Sequence, residues 1–434
     1  MQSELKSLSK IFTEVVFRIP DYQRGYSWGK KHLKDFWGDI EQLPSGKSHY
    51  TGVLTLEPVS KKNYERWEDD TWIIESKNYA PMYIVDGQQR LTTAVILIQA
   101  ILERMEDGEL LNYTDKSEIL KKYIYETKGR GISKSYLFGY EKDNPSYEYL
   151  KQSIFCDQSI IHSTQEETIY TKNLRSAKEF FFEKLSKLTK ENVEKVYTKL
   201  TQHFLFNIFY IEKDLDVFVT FETMNNRGKP LSHLELLKNR LIYLSTKMNG
   251  ERTESDHLRK AINESWKSVY HYLGKIDDSG SDDDGFLGTH YVFYFSPKLN
   301  NKDEAYLNTF RREHLFQEQF KDKLLEDIFT AKKLESSDSS LTIQDIFNYS
   351  QSLKELVRAY YEVKVPEQSS FSEIEKNRLA QINRIGNSGY MALATMNTVK
   401  APKERERLLE AIERYNFAIG LHRITSAVSE RLTY

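Results

Sequence analysis

Val85-Asp86-Gly87-Gln88-Gln89-Arg90-Leu91-Thr92-Thr93 is the stretch on which the fold turns. Just before it, Met82-Tyr83-Ile84-Val85 is β-branched and aromatic and reads as a strand. After Gly87, the residues Leu91, Ala94, Val95, Ile98, Leu102 and Met105 fall at helical spacing. A strand therefore hands over to a helix at an Asp-Gly turn. Backbone N–H groups at such a helix start point outward and the macrodipole is positive there, which suits phosphate oxygens. Arg90 adds a permanent forked cation, Gly87 permits close backbone approach, and Asp86 could hold a hydrated magnesium ion or orient water. The plainer alternative is a capped helix whose Asp86 and Arg90 form an ordinary ion pair.

Working outward, Val15-Val16-Phe17-Arg18-Ile19 reads as a short strand stopped by Pro20, and Tyr50 to Leu56 as another. Residues 203–211 suit a buried strand, and Leu215, Phe218, Val219 and Glu222 suit a helix that Asn225-Asn226-Arg227-Gly228 breaks. Ser232 with Glu235 is a capping-box signature ahead of Leu234, Leu237, Leu241 and Leu244. Beyond about residue 250 the patterns are helical, over 258–273, 305–334, 343–363, 372–397 and 403–431. The expected fold class is α+β, a mixed α/β head followed by a mostly helical body. The expected division is 1–245, with a helical insertion at about 108–200, and a helical spacer at 246–434.

Bulk properties narrow the function. The chain has 434 residues, 39% hydrophobic and 13% aromatic, enough for packed cores in more than one domain. Lys and Arg number 62 against 64 Asp and Glu, so any DNA contact must rely on local patches. The lone Cys156 excludes an intramolecular disulfide and reads as a small buried hydrophobe. No 18-residue apolar run occurs and the N-terminus lacks an apolar leader, so a cytoplasmic protein without membrane contact is expected.

Several features are set aside. Ser45-Gly46-Lys47-Ser48 lacks the glycine of a Walker loop, since Glu41 stands there. Glu75-Ser76-Lys77 has a Glu-x-Lys form that Glu4-Leu5-Lys6 also shows. His257, His271, His290 and His314 are scattered, and Asp277 to Gly285 reads as a solvated loop without EF-hand spacing. The turn Ile19-Pro20-Asp21-Tyr22-Gln23-Arg24-Gly25-Tyr26-Ser27-Trp28 either plugs a core with aromatics or offers Tyr22, Tyr26 and Trp28 for stacking and Gln23 and Arg24 for phosphate or base edges.

Four blocks in order resemble one family: Ile19 to Trp28, Tyr50-Thr51-Gly52, Asp86 to Thr93, and Asn225-Asn226-Arg227-Gly228-Lys229-Pro230-Leu231. Over residues 5–245 the chain resembles the ParB/sulfiredoxin-like N-terminal domain of GmrSD-type restriction enzymes, and the helical remainder looks like their spacer. The resemblance implies a module that binds and hydrolyses a nucleoside triphosphate with Mg2+, in a modification-dependent restriction or anti-phage system. It implies Asp86 and Arg90 as catalytic groups and Asp86 as the metal ligand. Arg24, Gly87, Gln88, Gln89, Arg90, Thr92, Asn225 and Arg227 would surround the nucleotide. Tyr22, Gln23, Tyr26 and Trp28 would sense a modification, such as phosphorothioate, in double-stranded DNA. Many relatives continue into an HNH-like nuclease, for which no pattern is visible here, so a nuclease domain or subunit is an expected partner and a homo-oligomer is conceivable. Two other readings compete: a modified-DNA reader whose nucleotide pocket is regulatory, and an autonomous nuclease.

Overall fold

The structure is a computed structural model that describes residues 4–20, 23–106, 108–129, 133–142, 144, 146–157, 167–211, 232–247, 252–276, 283–295, 323–335, 341–385 and 389–432. The chain divides into two compact units, Met1–Pro230 and Leu231–Tyr434.

The first unit is built on a mixed sheet, six-stranded among the described residues. The strands among the described residues are β1 (Glu4–Ser7), β2 (Val15–Ile19), β3 (His49–Pro58), β4 (Ala80–Asp86), the hairpin β5 (Leu110–Leu111) and β6 (Thr114–Asp115), the hairpin β7 (Tyr125–Lys128) and β8 (Ser133–Tyr136), β9 (Phe138–Tyr140) and β10 (Phe204–Tyr210). The sheet order is β1-β10-β3-β4-β2-β9. β1 and β10 run antiparallel, as do β3 and β4, while β10 with β3 and β2 with both β4 and β9 are parallel.

Against this sheet lies the helix Gln88–Arg104, in which every residue from Leu91 to Leu102 is buried. A helix apolar on all sides belongs in a core rather than on a surface. Its buried hydroxyls are accounted for internally, since Thr92 and Thr93 each donate to the carbonyl four residues back, at 2.7 and 2.8 Å.

The segment at 108–200 corrects the expectation of a helical insertion. It does contain the helices Lys116–Tyr123, Ile169–Ser186 and Lys190–Thr198, but it also delivers β9 to the sheet beside β2. The physical reason is the aromatic run at Tyr136 to Tyr140, in which Leu137, Phe138 and Tyr140 are almost wholly buried. Such residues favour a pleated surface packed on both faces. Cys156 is a second correction. It is exposed in a left-handed turn (φ 57), where Lys178 Nζ donates to Sγ at 3.1 Å, so it is not a core residue.

One charge sits deep in the sheet. Arg18 in β2 forms an ion pair with Asp70, donates to the Phe17 carbonyl at 2.7 Å, and lies 5.3 Å from the Trp67 ring centroid. Both charged side chains are nearly inaccessible, at 5% and 6%.

The second unit is helical: His233–Lys247, Arg252–Leu273, Asp283–Phe295, Ile343–Lys364, Glu373–Ile385, Gly389–Thr398 and Pro402–Leu432. The capping box forms as expected, with Ser232 N–H donating to Glu235 Oε2 at 2.9 Å and Glu235 N–H to Ser232 Oγ at 3.3 Å. The stretch 372–397 is two helices, and most of 305–334 lies outside the described residues, as do His314 and 277–282. Fully buried Tyr349 is ringed by His290, Tyr294, Phe295 and Phe329 at centroid distances of 4.8 to 6.2 Å. No described helix is long and apolar enough to cross a membrane.

Removing one member of the Arg18–Asp70 pair leaves the other buried and uncompensated. Asp70→Ala should destabilise the first unit by about 3–5 kcal/mol, read as a lowered denaturation midpoint with an unchanged slope. A loss under about 1 kcal/mol, the worth of an exposed pair, would show that the pair is solvated.

Candidate functional site at the start of the central helix

Two irregularities in the sheet create the site. The pairing of β10 with β3 passes from Leu205–Tyr50 to Phe206–Gly52, so Thr51 is an extra residue on β3. The pairing of β3 with β4 passes from Thr55–Asp86 to Leu56–Ile84, so Val85 is an extra residue on β4. An extra residue drops out of the ladder, and its carbonyl needs another donor. Side chains supply both. Arg90 Nη1 donates to Thr51 O at 3.4 Å and Nη2 to Val53 O at 2.9 Å, while Gln23 Nε2 donates to Val85 O at 3.0 Å.

Two glycines make this approach possible. Gly52 has φ 134, and a Cβ there would lie 1.9 Å from Arg90 Nη1. Gly87 has φ 87, and its Cβ would lie 2.9 Å from Val53 O. Gly87 is the residue before the helix, and as a glycine it has no side chain with which to cap the helix start. The first intrahelical bond runs from Leu91 N–H to Gly87 O at 3.0 Å, which leaves the N–H groups of Gln88, Gln89 and Arg90 without intrahelical acceptors.

Around this helix start the polar side chains fall into three groups. Asp86, the last residue of β4, has its carboxylate 3.6 Å from Arg90 Nη2, with both side chains partly accessible. Gln89 grips the turn after Pro20, accepting from Ser27 N–H at 2.8 Å and donating to Gly25 O at 3.2 Å. One helical turn on, Thr93 accepts from Tyr26 at 2.7 Å; because Thr93 spends its own proton on Gln89 O, the phenol must be the donor. Burial pushes the Tyr26 phenol well above its ordinary range, which the Thr93 bond only partly offsets. Four buried oxygens have no hydrogen-bond partner: Gln23 Oε1, Ser27 Oγ, Thr51 Oγ1 and Gln88 Oε1.

The structure thus brings together Gln23, Asp86, Gly87, Gln88, Gln89 and Arg90, but it revises several roles. Tyr26 is fully buried, so its ring is a strut in the core and has no face free for a base. Thr92 is 1% exposed and bonds to Gln88 O and to the Tyr140 hydroxyl, so it does not face a ligand. Both ends of the Gln89 amide are held by backbone. Arg24 is buried, and Trp28 is half-buried, stacked on His32 at 5.8 Å. Tyr22, Asn225 and Arg227 lie outside the described residues. Asn144 and Asn173, which donate to Gln23 O and Tyr26 O at 3.2 Å, were missed. Asn144 stands in the sequence Asp143-Asn144-Pro145, a composition that could have drawn notice, whereas Asn173 is one polar residue within a helix and carries no signal.

The family model described as GmrSD restriction endonuclease, N-terminal domain, matches residues 5–242, more than half of the chain. The chain belongs to this family. No curated protein matches it. The matched region spans both bulges, the turn after Pro20 and the helix start, so the geometry above is that of a GmrSD-type N-terminal domain. The chain is accordingly a restriction-system protein. Among the described residues, no group of three or more His, Cys, Asp or Glu comes together in a way that could hold a metal ion.

Gly52 and Arg90 should be coupled energetically. Gly52→Ala places a methyl group on the guanidinium and should cost about 1–3 kcal/mol, whereas adding Arg90→Ala should recover part of that loss. Chemical denaturation of the two single variants and the double variant would measure a coupling of about 0.5–3 kcal/mol. Simple additivity would mean that Arg90 does not occupy the space over Gly52.

Proposed function

We propose that the site binds and hydrolyses a nucleoside triphosphate, and that the chain is the sensor and motor module of a modification-dependent restriction system. The observation that carries this reading is the start of the Gln88–Arg104 helix, whose N-cap is a glycine that permits close approach, with Asp86 and Arg90 beside it. Outward N–H groups and the helix dipole favour phosphate oxygens, and the Arg90 charge adds to the same field.

The residues fit a magnesium-bound triphosphate in kind. Mg2+ keeps most of its waters and needs only one or two carboxylates besides phosphate oxygens, so Asp86 suffices as its protein ligand. The unpartnered oxygens of Gln88 and Thr51 are acceptors suited to water or nucleotide hydroxyl groups. Bound magnesium would screen the phosphate charge. The chain's own groups do the rest: the N–H groups of Gln88 to Arg90 hold phosphate, Asp86 orients water, and Arg90 offsets charge developing in the transition state. With its guanidinium engaged on two carbonyls, Arg90 also fixes the shape of the turn that presents those N–H groups.

Double-stranded DNA, in modified form, is the proposed partner, in keeping with the restriction-endonuclease family. Gln23 is the strongest remaining candidate for reading the modification, since its carboxamide oxygen has no partner and its nitrogen is anchored. Strand cleavage is assigned to a nuclease domain or subunit, because no nuclease motif was found in the sequence.

Phosphate release by the purified chain with Mg2+, with and without modified duplex, tests this. Turnover should vanish on chelation, and Asp86→Asn should lower it at least about a hundredfold while leaving the fold intact. Absent turnover under all conditions, or full turnover by the Asp86→Asn protein, would defeat the proposal. Gln23→Ala should narrow the difference between modified and unmodified DNA and leave basal turnover unchanged. Equal loss on both DNAs would make Gln23 a purely structural residue.

A further inference from the structure

The helical unit contains a cleft of about 250 Å³ between three helices. His290, Phe293 and Tyr294 line it from Asp283–Phe295, Ser352 and Glu355 from Ile343–Lys364, and Asn397 from the end of Gly389–Thr398. It lies beyond the residues matched by the family model.

The chemistry of its walls is specific. Ser352 donates its hydroxyl proton to Tyr349 O at 2.8 Å, so its oxygen must accept from His290 Nε2, also 2.8 Å away. His290, 1% exposed, is thereby held with its proton on Nε2 and its ring fixed. Tyr294 stacks on that ring at 5.7 Å and 21°, and meets buried Tyr349 edge-on at 4.9 Å. The aromatic wall is therefore a rigid platform. Glu355, exposed at the rim, offers only acceptor oxygens, and Asn397 offers both a donor and an acceptor. Among the described residues no Lys or Arg lines the cleft, so those walls offer a phosphate no counter-charge.

Ring faces and a carboxylate both present negative potential, so the complementary ligand is flat with a positive, N–H-bearing edge. The volume falls just under the range for drug-sized ligands, which suits a single ring system better than a whole nucleotide. We propose that this cleft binds an amino-bearing heteroaromatic ring of the cytosine or adenine type, with its exocyclic amine on Glu355 and its face on Phe293 and Tyr294. The ring could arrive as a free nucleoside or as a base turned out of DNA, and both present the same edge.

The fluorescent base 2-aminopurine serves as the probe with the full-length chain, first as its free deoxyriboside and then as a single mispaired base in a duplex. A saturable change is expected with at least one of the two. The free form responding alone identifies a nucleoside ligand, and the duplex responding alone identifies an extruded base. Glu355→Gln should weaken the responding interaction about tenfold and Asn397→Ala severalfold. Both residues are exposed, so circular dichroism should be unchanged. No saturable change with either probe, or a change that both variants leave intact, would overturn the assignment.

Discussion

The Arg90 guanidinium is the constraint on which the first unit's site depends. It lies where a bulge in β3 turns the Thr51 carbonyl out of the ladder, and it bonds that carbonyl and the Val53 carbonyl together. A buried carbonyl left unpaired costs about 1–3 kcal/mol, so the bulge and the arginine stand or fall as a unit. Gly52 and Gly87 follow from the same demand for close approach, one opposite the guanidinium and one against the Val53 carbonyl. Asp86 then sits beside a cation whose position is already set.

The polar block that begins the central helix is divided among neighbours by helical geometry. Gln89 and Thr93, four residues apart, share one face and hold the turn at Gly25 to Ser27. Gln88 and Thr92 share the next, where Thr92 returns its proton to the Gln88 carbonyl. Arg90 points across to β3. Four-residue spacing thus lets one turn and a half of helix address three separate structures.

Much of this was legible in the residues. Apolar spacing after Gly87 located the helix, and short β-branched and aromatic runs located β2, β3, β4 and β10. The four motif blocks located the family. The two bulges were not legible, because an extra residue in a ladder is a relation between strands far apart in sequence, and Thr51 and Val85 have no composition that marks it. For the same reason Tyr26 and Thr92 looked like ligand contacts: polar groups on a motif were credited to function, although the Tyr26 hydroxyl bonds Thr93 and the Thr92 hydroxyl bonds the Gln88 carbonyl within the core. Cys156 went the other way. Burial statistics favour the interior, but a left-handed turn aims its sulfur at Lys178 and Glu103.

The paired grip of Gln89 and Thr93 on the turn after Pro20 has a thermodynamic corollary. The helix start and that turn are joined by three hydrogen bonds across adjacent turns of one rigid helix, so neither shifts without straining the other. If an anion at the helix start and a DNA feature at the turn each favour one arrangement of those bonds, the two binding equilibria are linked. Each ligand must then change the affinity of the other by the same factor. Two such sites would then need no relay between distant domains, because the coupling would run through side chains one helical turn apart.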